Sequence, residues 1–383
     1  MRTAVIGATM LVIGFAAVVS GVLSVHQALA VGARTWPILL FVVAITIIAE
    51  LAADAGLFQV IASRIAVLGA NRAWVLWLLV VALSVVCTTF LSLDTTAVLL
   101  TPVVVLLARQ SGLSPLPFAL ISVWLANTGS LLLPVSNLTN LLSEHALGFS
   151  NATRFVALMA LPALAAIAIP CIAVFAAFRR DLLRRYRLHP LDSIEDRVLL
   201  RVSTTVVVAI LPLLVSGIPV WIPASGGAFT LLVAFALRRP RSLRLSLMPW
   251  QLVLLASGLF LVIQSADELG LTRLLGHVAG TTGDDAASLL RLSGTSALGA
   301  NLVNNLPAYL ALEPVSGSPR RIAALLVGTN VGPLITPWAS LATLLWHSRL
   351  TALGEHLSWR RYALFGLIIA PITVISATLA LLI

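Results

Sequence analysis

The sequence predicts an all-α polytopic membrane protein with an inverted repeat, and three observations support this class. The chain of 383 residues is 60% hydrophobic and only 10% charged, with a mean hydropathy of +1.05. Apolar runs of about 20 residues, each long enough to cross a bilayer, recur along its whole length. Two similar stretches rich in polar residues, glycine and proline interrupt such runs in the two halves of the chain. We therefore expect about seven continuous spans, two broken membrane-crossing helices and two candidate re-entrant hairpins.

The first interrupted stretch runs from Ala126 to Leu142 and reads ANTGSLLLPVSNLTNLL. Gly129 and Pro134 weaken a helix, and the proline also lacks a backbone N–H. Unwound backbone survives in a bilayer only where protein buries it or where it lines a wet cavity. The stretch is therefore predicted to be a broken helix at a binding site. Its candidate substrate ligands are Asn127, Thr128, Gly129, Ser130, Ser136 and Asn137.

The second interrupted stretch, Thr329 to Leu345, repeats this pattern as TNVGPLITPWASLATLL. An offset of 203 positions places Asn127 on Asn330 and Pro134 on Pro337. Interrupted segments at corresponding places in two halves are the best indication in a sequence of a transporter's binding site. The candidate ligands here are Thr329, Asn330, Gly332, Thr336 and Ser340.

The stretch 73–108 is predicted to form either two spans or one re-entrant hairpin, with Asp94 at its polar tip. A carboxylate in the middle of an apolar stretch is costly, and it indicates function by default. Asp94 is therefore predicted to carry a coupling proton, and capping of the following helix is the alternative. Thr95 and Thr96 beside it are candidate substrate ligands.

A second candidate hairpin is predicted at 286–312. Aligning SLDTTAVL (92–99) with LVNNLPAY (302–309) places Asn304 and Asn305 at the matching tip. Amide side chains can coordinate a ligand but cannot carry a proton. We expect a ligand role for both, with stabilisation of the free backbone before the next proline as the alternative.

A third repeated motif pairs ELAADAGLF at 50–58 with QSADELGL at 264–271. Glu50 and Asp54 lie one turn apart on one face of the predicted helix. The sequence leaves open whether they form a proton path or an interfacial acidic pair. Three motifs repeated in the same order favour an inverted repeat.

Arginine positions predict how the two halves lie in the membrane. The loop 179–201 contains seven arginines and 238–244 contains four, so both are expected in the cytoplasm. Counting spans from these loops places the N-terminus inside and the C-terminus outside. The predicted units are a first repeat (1–178, with hairpin 73–108 and broken helix 116–147), a cytoplasmic basic linker (179–201) and a second repeat (202–383, with hairpin 286–312 and broken helix 322–346).

The remaining composition excludes several classes of protein. The net charge of +10 comes from arginines in short loops, which indicates topology signals and contact with anionic lipid rather than nucleic acid. Cys87 and Cys171 lie inside apolar runs and are expected to be packing residues. The sequence has no P-loop, HExxH or GxSxG motif, so we predict no enzyme activity, no metal site and no cofactor.

Several stretches carry a family resemblance, among them LDTTAVLLTPVVV (93–105), LLPVSNLTNLLSEHALG (132–148), NLVNNLPA (301–308) and VGPLITPWASLATLLW (331–346). Through them the chain resembles the arsenite/antimonite efflux permeases of bacteria, the ArsB type. These belong to the ion-transporter superfamily that also contains sodium–dicarboxylate symporters. The resemblance implies an inner-membrane protein of the elevator type, with a scaffold domain and a mobile transport domain bearing both hairpins. It also implies exchange of trivalent arsenic or antimony for protons.

The chain departs from the family pattern at both broken segments. The family commonly has an acidic residue at the positions of Asn127 and Asn330, and a lysine at the position of Leu334. The chain therefore lacks these charges at both broken segments while it keeps Asp94.

Three functions remain open on this basis. The first is export of arsenite or antimonite in exchange for protons. The second keeps the fold but transports an organic or inorganic anion with sodium or protons. The third is a passive channel or the membrane subunit of an ATP-driven pump. A homodimer and an ATPase partner are both compatible with the sequence.

Overall fold

The structure, a computed structural model, describes residues 2–148, 152–186 and 196–383, and these residues are almost entirely helical. The first group of helices comprises α1 (Arg2–Val19), α2 (Val25–Asp54), α3 (Leu57–Leu68), α4 (Ala73–Leu91), α5 (Leu93–Thr95), α6 (Thr101–Gln110), α7 (Leu116–Thr128), α8 (Leu138–Ala146), α9 (Ala152–Ala177) and α10 (Arg179–Leu182). The second comprises α11 (Arg197–Leu213), α12 (Trp221–Arg238), α13 (Trp250–Glu268), α14 (Leu271–Ala279), α15 (Ala286–Val303), α16 (Asn305–Leu312), α17 (Pro319–Val331), α18 (Leu341–Ala352) and α19 (Trp359–Leu379).

Seven helices in the described ranges are long and apolar enough to cross a membrane. The prediction of an all-α polytopic membrane protein is therefore confirmed. These seven helices differ from the predicted continuous spans, because two of them are the arms of the first hairpin. The arms are α4 and the continuous helix Leu93–Gln110. A π-helical segment, Thr96–Leu100, joins α5 to α6 within that helix. The apolar run at 198–216, which by its length predicts a span, corresponds to α11 with only 17 helical residues.

The helices form two packed groups. The peripheral group contains α1, α2, α11, α12 and α13, and the core group contains α4 to α10 and α15 to α19. Helices α3 and α14 contact members of both groups. Close approach in the peripheral group depends on glycine, since a methyl group at Gly258 would lie only 2.6 Å from the backbone nitrogen of Leu11. Small residues at such crossings let two helix backbones approach within a bilayer.

Helix contacts are reciprocal between the two halves of the chain. Helix α1 packs on α13 and α12 packs on α2, while α4 packs on α7 and α15 packs on α17. A two-fold relation between halves requires such paired contacts. Matching left-handed glycines, Gly56 and Gly270, also begin α3 and α14. These observations support the predicted inverted repeat and leave α11 without a counterpart, so the repeat boundary at 202 stays a prediction.

The loops lie on two faces of the molecule, and polar contacts join the helix ends and loops within each face. The face that carries the loops after α6, α9, α12 and α18 holds most of the arginines, and we name it the arginine-rich face. Contacts on this face are Arg109–Glu355 (2.5 Å), Arg238–Asp196 (3.1 Å) and Arg239 Nη1 to the Asp54 carbonyl (3.3 Å). Contacts on the opposite face are Gln27–Glu268 (2.5 Å) and Arg34–Glu313.

Only part of the predicted basic linker falls within the described ranges, because residues 187–195 lie outside them. Before this gap the chain forms the short helix α10, and Arg185 pairs with Arg72 in an isolated β-bridge. After it, Asp196 caps α11. The Leu199 backbone N–H and the Arg238 guanidinium hold the pKa of the Asp196 carboxyl below its usual range. The linker therefore begins and ends on the arginine-rich face.

Candidate transport site

A cavity of about 500 Å³ lies where both hairpin tips and both helix breaks meet. It extends to the arginine-rich face, where the loop 246–252 and the exposed Arg349 form part of its wall. The polar groups of its wall therefore come from elements far apart in the sequence. The residues that the tips and breaks contribute are Ser92, Leu93, Asp94, Thr95, Val135, Asn137, Leu138, Asn304, Asn305, Leu306, Ser340 and Leu341.

At the first tip the chain turns at Ser92, which has a φ of 92° and is one of four described non-glycine residues with positive φ. Its hydroxyl accepts a hydrogen bond from the Thr95 N–H (3.4 Å) and donates one to Thr95 Oγ1 (3.2 Å). Ser92 is therefore the cap of this helix, and Asp94 lies in the first turn. The alternative prediction that Asp94 acts as the cap is wrong, because Ser92 occupies that position.

The Asp94 side chain is half-buried and lines the cavity. Its Oδ1 atom is buried and has no hydrogen-bond partner in the described part of the chain. A buried carboxylate oxygen without a partner is costly. The first turn of a helix offsets part of this cost, because its free N–H groups attract negative charge. The Asp94 carboxyl therefore faces the cavity with its Oδ1 atom unpartnered by the described residues.

The second tip has the same geometry as the first. Asn304 has a φ of 132°, and its Oδ1 accepts a hydrogen bond from the Leu306 N–H at 3.4 Å. The turn and the cap thus match Ser92 with Asn304, whereas the sequence alignment matched Asp94 with Asn304. The structural correspondence is therefore shifted by two residues from the sequence alignment. Leu306 occupies the position in the second tip that Asp94 occupies in the first. Asn305 lines the cavity beside it and also accepts from the Leu306 N–H, at 2.9 Å.

The two broken segments cross through reciprocal amide contacts. Asn330 accepts hydrogen bonds from Asn137 Nδ2 and Thr139 Oγ1 (both 3.1 Å) and donates one to Asn140 Oδ1 (2.8 Å). In the other direction, Asn127 Nδ2 approaches Thr343 Oγ1 at 3.4 Å. The offset of 203 that matches Asn127 with Asn330 also matches Asn140 with Thr343. Asn330 of the second segment thus contacts Asn140 of the first, and Asn127 of the first contacts Thr343, the equivalent of Asn140, in the second. A two-fold relation between the segments would require such paired contacts.

In the first broken segment, serines and an asparagine stabilise the unwound backbone. Asn140 Nδ2 donates to the carbonyls of Ser130 (2.6 Å) and Leu133 (3.0 Å). The Ser136 hydroxyl donates to these same two carbonyls, and the Ser130 hydroxyl donates to the Asn127 carbonyl at 2.6 Å. Unpaired backbone carbonyls would be costly at this depth. The hydroxyls of Ser130 and Ser136 are therefore both used in hydrogen bonds to backbone carbonyls.

Asn301 performs this role in the second broken segment. Its Nδ2 donates to the Gly332 carbonyl (2.8 Å), and its Oδ1 accepts from the Thr336 N–H and hydroxyl (both 3.0 Å). The Trp338 ring N–H also donates to the Asn301 carbonyl at 2.7 Å. Asn301 thus joins the second hairpin to the second break. Asn301 was not predicted as a site residue because it lies before the hairpin tip, although it begins the motif NLVNNLPA.

Four helices begin at the cavity wall. The helix Leu93–Gln110 and α16 begin at the two tips, and α8 and α18 begin at the two breaks. Free backbone N–H groups at helix N-termini attract oxygen atoms and negative charge. The cavity therefore suits a small, oxygen-rich solute.

The structure separates the predicted site residues by position. Six line the cavity, namely Asp94, Thr95, Asn137, Asn304, Asn305 and Ser340. The others do not line it, and all but the partly exposed Thr336 are buried: Thr96, Asn127, Thr128, Gly129, Ser130, Ser136, Thr329, Asn330, Gly332 and Thr336. Most of those hydroxyls bond to protein; for example, Thr329 Oγ1 donates to the Leu325 carbonyl at 3.0 Å. The first group can touch a solute directly, and the second supports the wall.

Two charged residues of the cavity wall, Glu50 and Arg349, are not among the predicted site residues. Glu50 comes from α2 and Arg349 from α18, so the wall carries opposite charges from two distant helices. From the sequence, Glu50 was predicted to form with Asp54 either a proton path or an interfacial acidic pair. Arg349 could have been recognised in the sequence as an arginine that soon follows the second interrupted stretch.

Spanning helices, crossed helix breaks and a shared cavity define a polytopic membrane transporter. The chain belongs to the citrate transporter family (CitMHS), whose family model matches residues 1–343. It is also 31% identical to the arsenical pump membrane protein of Yersinia enterocolitica, over 96% of this chain and 90% of that protein. Identity to the arsenical pump membrane protein of Escherichia coli K12 is 29%, over 89% of this chain and 84% of that protein. The resemblance inferred from the sequence motifs is thereby confirmed.

Proposed function

We propose that this protein is a secondary active transporter that exports trivalent arsenite or antimonite in exchange for protons. The observation that supports this most directly is the cavity, because both tips and both breaks reach it and it contains Asp94. Arsenous acid is neutral and hydroxyl-rich at neutral pH. Asn137, Asn304, Asn305 and Ser340, together with the four helix N-termini, offer hydrogen bonds that suit such hydroxyl groups. The similarity to proteins named arsenical pump membrane proteins agrees with this cargo.

Asp94 is the proton carrier in this proposal. It is the acidic residue at a hairpin tip, and its carboxyl has room to exchange a proton with the cavity. Binding of cargo and release of the proton would then occur in one small space. Competition within that space gives the coupling that exchange requires.

Transport of an anion is the second candidate function, and two observations favour it. The family is described as a citrate transporter family, and four helix N-termini face the cavity. Arg349 adds a positive charge to the wall. Glu50 and Asp94 oppose this charge, which makes the wall less suited to a multiply charged anion than to a neutral cargo.

Uptake into everted membrane vesicles tests the cargo and the coupling ion together. We expect arsenite to accumulate when the vesicle interior is acidic, with no requirement for sodium, and succinate and citrate to remain at equilibrium. Vesicles from cells that lack the protein provide the control. Sodium-driven accumulation of either carboxylate without arsenite uptake would instead establish the anion transporter.

We also propose that the arginine-rich face is cytoplasmic, that the N-terminus lies inside and that the C-terminus lies outside. Arginine asymmetry supports this orientation. In a background with Cys87 and Cys171 replaced by alanine, Thr282→Cys on the opposite face should react with an impermeant thiol reagent in intact cells. Leu245→Cys, in the exposed loop before α13, should react only in everted vesicles. Labelling of Leu245→Cys in intact cells would contradict the orientation.

A further inference from the structure

The cavity at the transport site is open at one face, and a charged pair joins the two helix groups at the other face. Glu313 follows α16 in the core group, and Arg34 lies on α2 in the peripheral group. Their side chains form an ion pair in which the glutamate is only 11% exposed. We name Arg34 and Glu313 the outer pair. The cavity at the transport site reaches the arginine-rich face, whereas the outer pair lines a separate cavity of about 340 Å³ on the opposite face.

The same helix carries the opposite charge at its other end. Glu50 lies about 24 Å further along α2 by helical rise. It shares the cavity wall with Arg349 of the core group. We name Glu50 and Arg349 the inner pair. Each pair therefore combines one residue of α2 with one residue of the core group.

Among the described residues, the other three ion pairs each lie within one group. Arg109 and Glu355 both belong to the core side of the molecule, where α6 ends and where the loop after α18 begins. Arg238 and Asp196 both belong to the peripheral group. A displacement of the core group against α2 would break the outer pair and leave these two intact.

We propose that the outer and inner pairs are alternating gates which position the core group during transport. The outer pair holds the opposite face closed while the cavity is open to the arginine-rich face. When the core group moves, the outer pair separates and Glu50 joins Arg349 to close the arginine-rich face. This inference rests on the proposed function as a transporter, but not on arsenite being the cargo.

Thiol accessibility at the second tip tests the gates without any cargo. Leu306→Cys, in the cysteine-free background, places a reactive thiol in the cavity wall. Labelling from the arginine-rich face reports the state seen here, and labelling from the opposite face reports the alternative state. Everted vesicles and intact cells provide the two sides.

Neutralising a residue of the outer pair and neutralising Arg349 of the inner pair should shift the labelling rate from the opposite face in opposite directions. Glu313→Gln, and independently Arg34→Gln, should raise the labelling rate from the opposite face by about three- to tenfold and lower it from the arginine-rich face. Arg349→Gln should lower labelling from the opposite face, because it weakens the alternative state. The exchanged pair Arg34→Glu with Glu313→Arg should restore the original ratio.

Glu355→Gln is the matched control, because it breaks an ion pair of the same chemistry within one group. It should leave the ratio of labelling from the two faces unchanged. An equal shift in Glu355→Gln, or a change of the same sign for Glu313→Gln and Arg349→Gln, would overturn the gate proposal. If the gates behave as expected but vesicles do not accumulate arsenite, the cargo assignment alone is wrong.

Discussion

Replacing Asp94 by asparagine is expected to abolish accumulation of cargo against its gradient while leaving cargo binding intact. Asparagine keeps the size of the side chain and its polarity at the cavity wall, but it cannot bind and release a proton. Each exchanged proton supplies about 1.4 kcal/mol per unit of pH difference, which corresponds to about tenfold accumulation. In Asp94→Asn vesicles an imposed pH gradient should therefore drive no accumulation. Arsenite should still raise the thermal stability of the purified protein.

Asp54→Asn provides the matched control for this experiment. Asp54 is an exposed carboxylate at the end of α2 and lies outside the cavity wall. Its replacement should leave proton-driven accumulation unchanged. If Asp94→Asn still accumulates cargo on a pH gradient, the proton carrier is elsewhere. Glu50, the other carboxylate in the wall, would then be tested in the same way.

Replacing Asn330 by alanine is expected to destabilise the protein much more than replacing Asn127. Asn330 makes three hydrogen bonds across the crossing, to Asn137, Thr139 and Asn140, all of which are buried. Losing a buried partner costs about 1–3 kcal/mol per unsatisfied group, so the total is on the order of 3 kcal/mol or more. Asn137 also caps α8 at the cavity wall. Asn330→Ala should therefore weaken cargo binding indirectly as well.

Asn127 makes a weaker contribution to the crossing. Its Nδ2 reaches the Val123 carbonyl within its own helix and Thr343 at 3.4 Å, and its Oδ1 has no partner among the described residues. We expect a loss of about 1 kcal/mol for Asn127→Ala. Thermal unfolding in detergent, followed by tryptophan fluorescence, compares the two variants. Equal decreases in Tm would show that the reciprocal contacts are not as unequal as the hydrogen bonds indicate.

The sequence was sufficient to predict the class of protein and the places where helices are interrupted. Runs of apolar residues determine which segments enter a bilayer, and this depends on local composition alone. The interruptions at Gly129–Pro134 and Gly332–Pro337 follow from the low helix propensity of glycine and proline, which is also a local property. In the structure, non-α segments lie at both places, Gly129–Leu132 with Pro134–Ser136 and Gly332–Leu334 with Pro337–Ala339. The tip with Asp94 was recognisable for the same reason, because its polarity contrasts with its neighbours.

Only the tertiary structure decided which polar groups face the cavity. Ser136 and Asn137 are neighbours in the sequence, yet the Ser136 hydroxyl bonds to backbone carbonyls whereas Asn137 lines the wall. Likewise, Asn301 stabilises the second break, and Arg34 pairs with Glu313, through contacts between distant segments. These roles depend on how helices from both halves cross, and a side chain's direction at a crossing is set by long-range packing. Local sequence patterns specify where a helix ends, but the fold specifies what each freed group then meets.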